Sequence, residues 1–335
     1  MMNKQITLQS RPQGYPTDET FAVKEVPVRQ PEENEVVVKS IYLSVDPYMR
    51  GRMSAAKSYV EPYRIGEVIE GGGVGEVVES RSEQFKPGDK VLGMLNWQLY
   101  SVHNASALRK VDDQAAPLSA YLGVIGMTGL TAYFGLMDIG RPKAGETVVV
   151  SGAAGAVGSI VGQIAKIQGA RVVGIAGSDE KTKWLTEQLG FDAAINYKEA
   201  ADLSAAIGQA CPQGVDVYFD NVGGAVTDAV MNHLNDYARV PLCGSISAYN
   251  DASGGSDIGP RPYVKLIKTR SLMKGFVLGE YMDRLPEGAR ALGQWLSEGK
   301  LRYEETIFEG FDRMPEAFME LFKGSNIGKM LVKVD

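Results

Sequence analysis

Residues 151–159 contain Gly152-Ala-Ala-Gly155-Ala-Val-Gly158 between two serines. Gly152, Ala154, Gly155, Ala156, Val157 and Gly158 keep bulk away from the backbone of this turn, so a ligand can come close to its amides. A helix that starts there presents unpaired N–H groups and the positive end of its dipole, which together favour an anion. The chemistry expected is the seating of a dinucleotide pyrophosphate. Ala153 breaks the G-x-G-x-x-G spacing, so the pattern carries weight only where a strand precedes it and a helix follows.

About twenty residues further on, a site for NAD calls for a carboxylate at the end of the second strand, to bond the ribose 2′-hydroxyl. That strand ends Ile175-Ala-Gly177-Ser178, with Lys181 one turn later. A hydroxyl and a cation suit a 2′-phosphate instead. The sequence therefore predicts NADP(H), with Asp179 and Glu180 turned outward by the helix.

Two cysteines, Cys211 and Cys243, and two histidines, His103 and His233, make up the whole soft-ligand inventory. Catalytic and structural zinc sites need convergent Cys and His sets, and none can be assembled here with the usual spacings. His103 and His233 read as surface or capping residues, and Cys243 as a neighbour of the cofactor and not a nucleophile. A hydride acceptor other than a zinc-polarised alcohol is implied.

The elements that must position these residues change character along the chain. Residues 1–120 read as β-rich: a strand over 35–45 ends at Asp46-Pro47, another run over 68–78 holds Gly71, Gly72, Gly73 and Gly75, and a turn over 85–90 leads into a strand at 91–94. After about residue 122 strands and helices alternate: a helix over 128–136, a strand over 147–151, a helix over 158–168, a strand over 171–176, and a helix over 181–189 capped by Ser178 and stopped by Gly190. Further strands follow at 215–220, 239–242 and 272–277. Alternation of this kind predicts an α/β fold with a doubly wound parallel sheet of the Rossmann type. The tail, with a strand over 302–307, a helix over 314–323 and a strand over 329–334, is too short for a third domain and is expected to pack on the β-rich part. The expected domains are 1–122 with 300–335, and 123–299.

The formal charge of −6 argues against nucleic acid or an anionic membrane as a general partner. No run approaches the roughly 18 apolar residues of a membrane span, and the first ten residues lack an apolar signal core. A cytoplasmic protein is expected.

Seven motifs in order then carry a family resemblance: Ser44-Val-Asp-Pro-Tyr-Met-Arg-Gly51, Gly126-Met-Thr-Gly-Leu-Thr-Ala-Tyr133, the glycine turn, Gly177-Ser-Asp-Glu-Lys181, Phe219-Asp-Asn-Val-Gly-Gly224, Cys243-Gly-Ser-Ile-Ser-Ala-Tyr-Asn250 and Asn326-Ile-Gly-Lys329. Over nearly its whole length the chain resembles the zinc-independent medium-chain dehydrogenase/reductases. The resemblance is greatest to the group of leukotriene B4 12-hydroxydehydrogenase/prostaglandin reductase, plant alkenal double-bond reductases and bacterial curcumin reductase. It implies a GroES-like β-rich catalytic domain beside the Rossmann domain, and a homodimer formed through the latter. It implies that Met127 and Thr128 face the nicotinamide, and that Lys181, Ser178, Gly177 and Tyr197 hold the 2′-phosphate. Asn221, Val222, Cys243, Gly244, Ser245, Ile246, Phe276, Val277 and Leu278 would line the cofactor, and Asn326 would close over it.

The group reduces the C=C bond of α,β-unsaturated aldehydes and ketones. Hydride reaches the β-carbon, charge collects on the carbonyl oxygen, and a proton arrives at the α-carbon. A neutral tyrosine can donate to that oxygen and relay a proton. Tyr249 is the first candidate, directly or through the ribose hydroxyl, with Tyr48 and Tyr63 second. Asp46 could cap its turn or orient Arg50 or Tyr48, and Tyr59, Tyr63 and Arg64 could form a substrate wall. Residues 250–262, rich in Gly and Ser, read as a mobile lid. Two rival readings stand beside the enone reductase: an NADPH quinone or zinc-free secondary-alcohol oxidoreductase, and a non-enzymatic NADPH-binding protein.

Overall fold

The computed structural model describes residues 1–251 and 258–335. Three sheets organise them. Strands β1 (Met2–Leu8) and β2 (Phe21–Pro27) form an antiparallel pair by themselves. Next come β3 (Glu35–Ser44), the short helix α1 (Tyr48–Arg52), β4 (Gly73–Ser80), β5 (Lys90–Gly93), β6 (Tyr100–Asn104) and β7 (Arg109–Lys110). Helix α2 (Met127–Phe134) runs into a π-helical turn at Gly135–Gly140.

The alternating region then holds β8 (Thr147–Ser151), α3 (Gly158–Ile167), β9 (Arg171–Ala176), α4 (Asp179–Glu187), β10 (Ala193–Asn196), α5 (Leu203–Ala210), β11 (Val215–Phe219), α6 (Gly224–Val230), β12 (Leu234–Leu242), α7 (Tyr263–Thr269), β13 (Leu272–Gly275) and α8 (Leu285–Ser297). The tail supplies β14 (Glu305–Glu309), α9 (Met314–Lys323) and β15 (Lys329–Lys333).

The six-stranded sheet has the order β10-β9-β8-β11-β12-β13 and is parallel throughout. Helices cover both faces of such a sheet, so its central strands must be apolar on both sides. Strand β8, Thr-Val-Val-Val-Ser, is buried at every position for that reason. The strand order reverses between β8 and β11, and ligands bind beyond the carboxyl ends of strands at such a point. Strand β10 is short and half-buried at three of its four positions, so its apolar pattern was too weak to predict it.

The seven-stranded sheet mixes the two ends of the chain. Its order is β14-β15-β3-β4-β5-β7, with β6 also on β3. Strand β15 pairs antiparallel with β3, Leu331 opposite Ser44. Helix α9 follows the i, i+3, i+4, i+7 rule with Met314, Ala317, Phe318 and Leu321 buried. Phe318 meets Trp97 edge-on at 5.8 Å, and Trp97 stacks on Phe21 at 5.9 Å. The β-rich core is therefore closed by a residue from the tail.

Candidate active site

A cleft of about 1360 Å³ opens between the two larger sheets, and the glycine turn forms its floor. Strand β8 delivers the chain to Gly152, whose φ of +58° turns it sharply. A Cβ on Gly158 would stand 2.4 Å from the Gly152 carbonyl oxygen, so only glycine lets α3 begin this close to the strand. Among the described residues the amides of Ala156, Val157 and Gly158 find no acceptor. They open into the cleft at the start of a ten-residue helix. This can seat a diphosphate.

At the end of β9, Gly177 lies against the Tyr197 ring: a Cβ there would come within 3.0 Å of it. Lys181 and Lys198 line the same corner. Burial first, and then the neighbouring Lys198 charge, lower the pKa of Lys181. Two cations that repel one another in a half-buried corner suit an added anion. The Lys181 ammonium also donates to the Gly324 carbonyl at 2.7 Å, which ties α4 to the tail. Ser178 caps α4 by accepting the Lys181 amide at 3.3 Å, and it does not line the cleft.

Met127 and Thr128, at the start of α2, also line the cleft. The Thr128 hydroxyl is buried and lacks a hydrogen-bond partner among the described residues. Asn221, Val222, Cys243, Gly244, Ile246, Phe276, Val277 and Leu278 line the intervening wall. Ser245 lines an adjoining cavity, and its amide donates to the Tyr249 hydroxyl at 3.3 Å. Asn326 is buried at the cleft, donating to the Gly328 carbonyl at 2.8 Å.

Tyr48 and Tyr249 both line the cleft, one on α1 and the other just beyond β12. Both hydroxyls are held above the ordinary tyrosine value. Burial raises Tyr48 first, and the Asp46 carboxylate adds to it. Burial is also the main cause for Tyr249. Each is therefore a neutral donor near neutral pH. The Cys243 thiol is pushed up to about 12 by burial and by the Asp220 carboxylate, which leaves it protonated.

Several expectations need correction. Tyr63 is 4% exposed and outside the cleft; its hydroxyl donates to the Glu70 carbonyl at 2.7 Å and its ring carries the Arg52 guanidinium. Tyr63 is a packing residue because Arg52 and Glu70 hold it inward. Arg64 pairs with Glu67 at the surface, so of that proposed wall Tyr59 alone lines the cleft. Asp46 neither caps its turn nor binds Arg50: its carboxylate accepts the Ser44 hydroxyl at 2.5 Å and faces the Lys329 ammonium at 3.3 Å. Arg50 instead donates to Asn250 Oδ1 at 3.0 Å and to the Gly14 carbonyl at 2.8 Å, crossing from α1 to the loop that carries Tyr249. His103 is half-buried in β6, opposite Val36, with its Nε2 inside and without a partner among the described residues. His233 bonds the Ser204 hydroxyl at 2.9 Å. Of the expected lid, residues 252–257 lie outside the described residues.

Asp220 is a further residue of the site, outside the candidate set. It is 2% exposed, and its carboxylate accepts the Ser151, Tyr218 and Thr227 hydroxyls and the Val222 and Gly223 amides. It thereby knots the ends of β8 and β11 together where the sheet order reverses. The signal was present in Phe219-Asp-Asn-Val-Gly-Gly224: an acid directly after an apolar strand, followed by glycines, marks a carboxylate that collects amides.

Among the described residues no group of three or more His, Cys, Asp and Glu side chains could hold a metal ion. Comparison with known proteins matches residues 4–111 to a family described as the N-terminal domain of oxidoreductase, and 156–294 to one described as zinc-binding dehydrogenase. The chain is 62% identical to YfmJ of Bacillus subtilis (strain 168), named provisionally as an NADP-dependent oxidoreductase, over 99% of this chain and 97% of that one. It is 44% identical to the 2-alkenal reductase (NADP(+)-dependent) of Nicotiana tabacum, covering 99% and 97%. The solved structure of CurA from Vibrio vulnificus in complex with NADPH superposes with a TM-score of 0.94 at 45% identity, covering 99% of both chains.

Proposed function

Because the chain belongs to the zinc-independent medium-chain dehydrogenase/reductases, in the group of the prostaglandin, alkenal and curcumin reductases, we propose that it reduces the C=C bond of α,β-unsaturated aldehydes and ketones with NADPH. The observation that carries this reading is the pairing, in one cleft, of a phosphate-seating turn with two neutral tyrosines. The residues fit the cofactor: the amides of Ala156, Val157 and Gly158 find no acceptor among the described residues, the Lys181 and Lys198 corner is cationic, and the buried Thr128 hydroxyl awaits a partner.

Ala156, Val157 and Gly158 would hold the pyrophosphate, and Lys181, Lys198 and Tyr197 the 2′-phosphate, with Gly177 leaving room. Ser178 acts there only through its cap of α4. Met127, Thr128, Phe276, Val277 and Leu278 would set the nicotinamide ring, and Asn326 would close the tail over the turn. NADPH, when bound, supplies a hydride. Tyr249, with Tyr48 as the second donor, hydrogen-bonds the substrate carbonyl oxygen, where negative charge builds, and relays the proton that the α-carbon takes up to complete the reduction. The apolar wall excludes water from that oxygen, which strengthens both bonds. In this reading 123–299 supplies most of the cofactor's seat and Tyr249, while 1–122 with 300–335 adds Tyr48 on the acceptor side and Asn326 over the cofactor. The chain is taken to act in the cytoplasm.

A quinone or secondary-alcohol acceptor is the second reading, and non-enzymatic NADPH binding the third. The second lacks a specific observation in its favour. The test is loss of NADPH absorbance over short alkenals, aryl enones, long lipid enones and quinones. Turnover of enones without quinones is expected; turnover of quinones alone overturns the reading, and binding without turnover of any acceptor selects the third. In Tyr249→Phe, kcat for an enone should fall by about a hundredfold with the NADPH affinity unchanged; undiminished turnover removes Tyr249 from the chemistry.

A homodimer is proposed as well. Strand β13 ends the parallel sheet, and the apolar Tyr263, Val264, Ile267 and Leu272 beside it are at least half exposed. An uncovered edge of that character pairs readily with a second copy.

A further inference from the structure

Two neighbouring residues of the tail attend to opposite sides of the cleft. Gly328 serves the floor: its amide donates to the Ala154 carbonyl at 2.8 Å, and it bridges in parallel to Gly155. Its φ is +66°, and a Cβ there would lie 1.9 Å from the Glu304 carbonyl oxygen, so the chain passes only as glycine. Lys329 serves the facing wall. Its side chain is almost wholly buried, and its ammonium donates to the carbonyls of Val45 at 2.9 Å and Met330 at 2.6 Å while facing Asp46 at 3.3 Å. Tyr48, two residues beyond Asp46, opens α1 and lines the cleft.

A lysine in this place calls for a reason. Burying an ammonium is costly, and an apolar chain of similar volume is often as stable or more so. What the ammonium adds is direction. Two carbonyl oxygens and a carboxylate converge on one point, and that point fixes the end of β3 against the start of β15. Glu305, opposite Lys329 in the register of β14 and β15, keeps a buried Oε1 without a partner among the described residues. Asp46, in ion-pair contact, is the main carboxylate that answers the charge, and Glu305 adds to it through space.

We propose that Lys329 is a positioning residue: it locks the turn at Val45 and Asp46, and through it Tyr48, to the stretch of tail that lies on the glycine turn, so that adjacent residues 328 and 329 set the acceptor wall relative to the cofactor floor. The proposal rests on the reading of the cleft as an NADPH site. It assigns Lys329 no contact with the reacting atoms.

The test compares the parent chain with Lys329→Met, Asp46→Asn and the double variant. Either single change leaves a group unpaired and can unfold the protein; the double change removes both charges together. Hydrogen exchange is read by mass spectrometry over residues 44–52 and 152–160, with and without NADPH, alongside NADPH affinity and enone turnover. In the parent, NADPH should slow exchange in both segments. In the double variant it should slow only 152–160, with affinity held within about threefold and kcat reduced at least about tenfold. Parental protection of 44–52 together with parental kcat in the double variant overturns the proposal, as does a loss of NADPH affinity that matches the loss of rate. If NADPH protects neither segment of the parent, the cofactor reading falls and the proposal with it. If NADPH protects both and no enone is reduced, the substrate reading falls alone, and the exchange data support the coupling.

Discussion

The chemistry of single residues in the cleft turns on charge and its absence. Lys181 stands in a cationic corner with Lys198, and a dianionic 2′-phosphate would meet both. Charge-assisted bonds of that type contribute about 1.5–3 kcal/mol each. Lys181→Ala should therefore raise the KM for NADPH by about tenfold or more while leaving that for NADH nearly unchanged; steady-state kinetics with both cofactors check it. Cys243 shows the opposite device. It lines a cleft proposed to take electrophilic enones, yet its thiol pKa is pushed up to about 12. A raised pKa keeps the proton on at higher pH, so the nucleophilic thiolate is scarce, only about one part in 10⁴ at pH 8. Alkylation of Cys243 by iodoacetamide in the folded protein should be slow at pH 8 and rise about tenfold per pH unit up to pH 10; peptide mass spectrometry gives the rate.

At the scale of elements, the sequence was most informative where periodicity was strong. Strand β9 and helix α9 lie where the pattern put them, because a run of β-branched residues between glycines and an amphipathic stretch after a turn each leave one solution. The cap at Ser178 was legible for the same reason, being fixed by local spacing. Less was legible where a long-range partner decides the outcome. Tyr63 could not be separated from Tyr48 by type or position; Arg52 and Glu70, brought together by the fold, turn one inward. The bond from Asp46 to Lys329 spans the whole chain, and no spacing rule reaches that far. Strand β10 and the hairpin of β1 and β2 lack the continuous apolar runs that mark buried strands. For α9 the packing makes a direct prediction: Phe318→Ala empties the contact with Trp97 and should cost about 3–5 kcal/mol of stability, seen as a lowered denaturation midpoint with NADPH affinity little altered.

At the scale of the molecule, the cleft belongs to both larger sheets, and long-range hydrogen bonds hold them in register. Gly328 touches the glycine turn, Lys181 holds the tail at Gly324, and Arg50 reaches Asn250. Assembly is proposed at the edge strand of the parallel sheet, β13. A double change of Ile267 and Leu272 to Glu should convert a dimer into monomers; light scattering after gel filtration reports the mass, and a parent chain that is already monomeric removes the proposed edge.

The stack of Phe21, Trp97 and Phe318 has a consequence for how the protein is made. The three rings come from the first, second and last parts of the chain, so a ribosome must have synthesised almost all of it before that core can close. The parallel sheet needs nothing beyond β13 to complete its own pairing. During synthesis the cofactor-side sheet is thus free to form first, while the earlier β strands wait with apolar faces uncovered for α9 and β15 to emerge. Chains cut short before α9 should accordingly be recognised by chaperones and proteases through their N-terminal third, although every residue of that third is present.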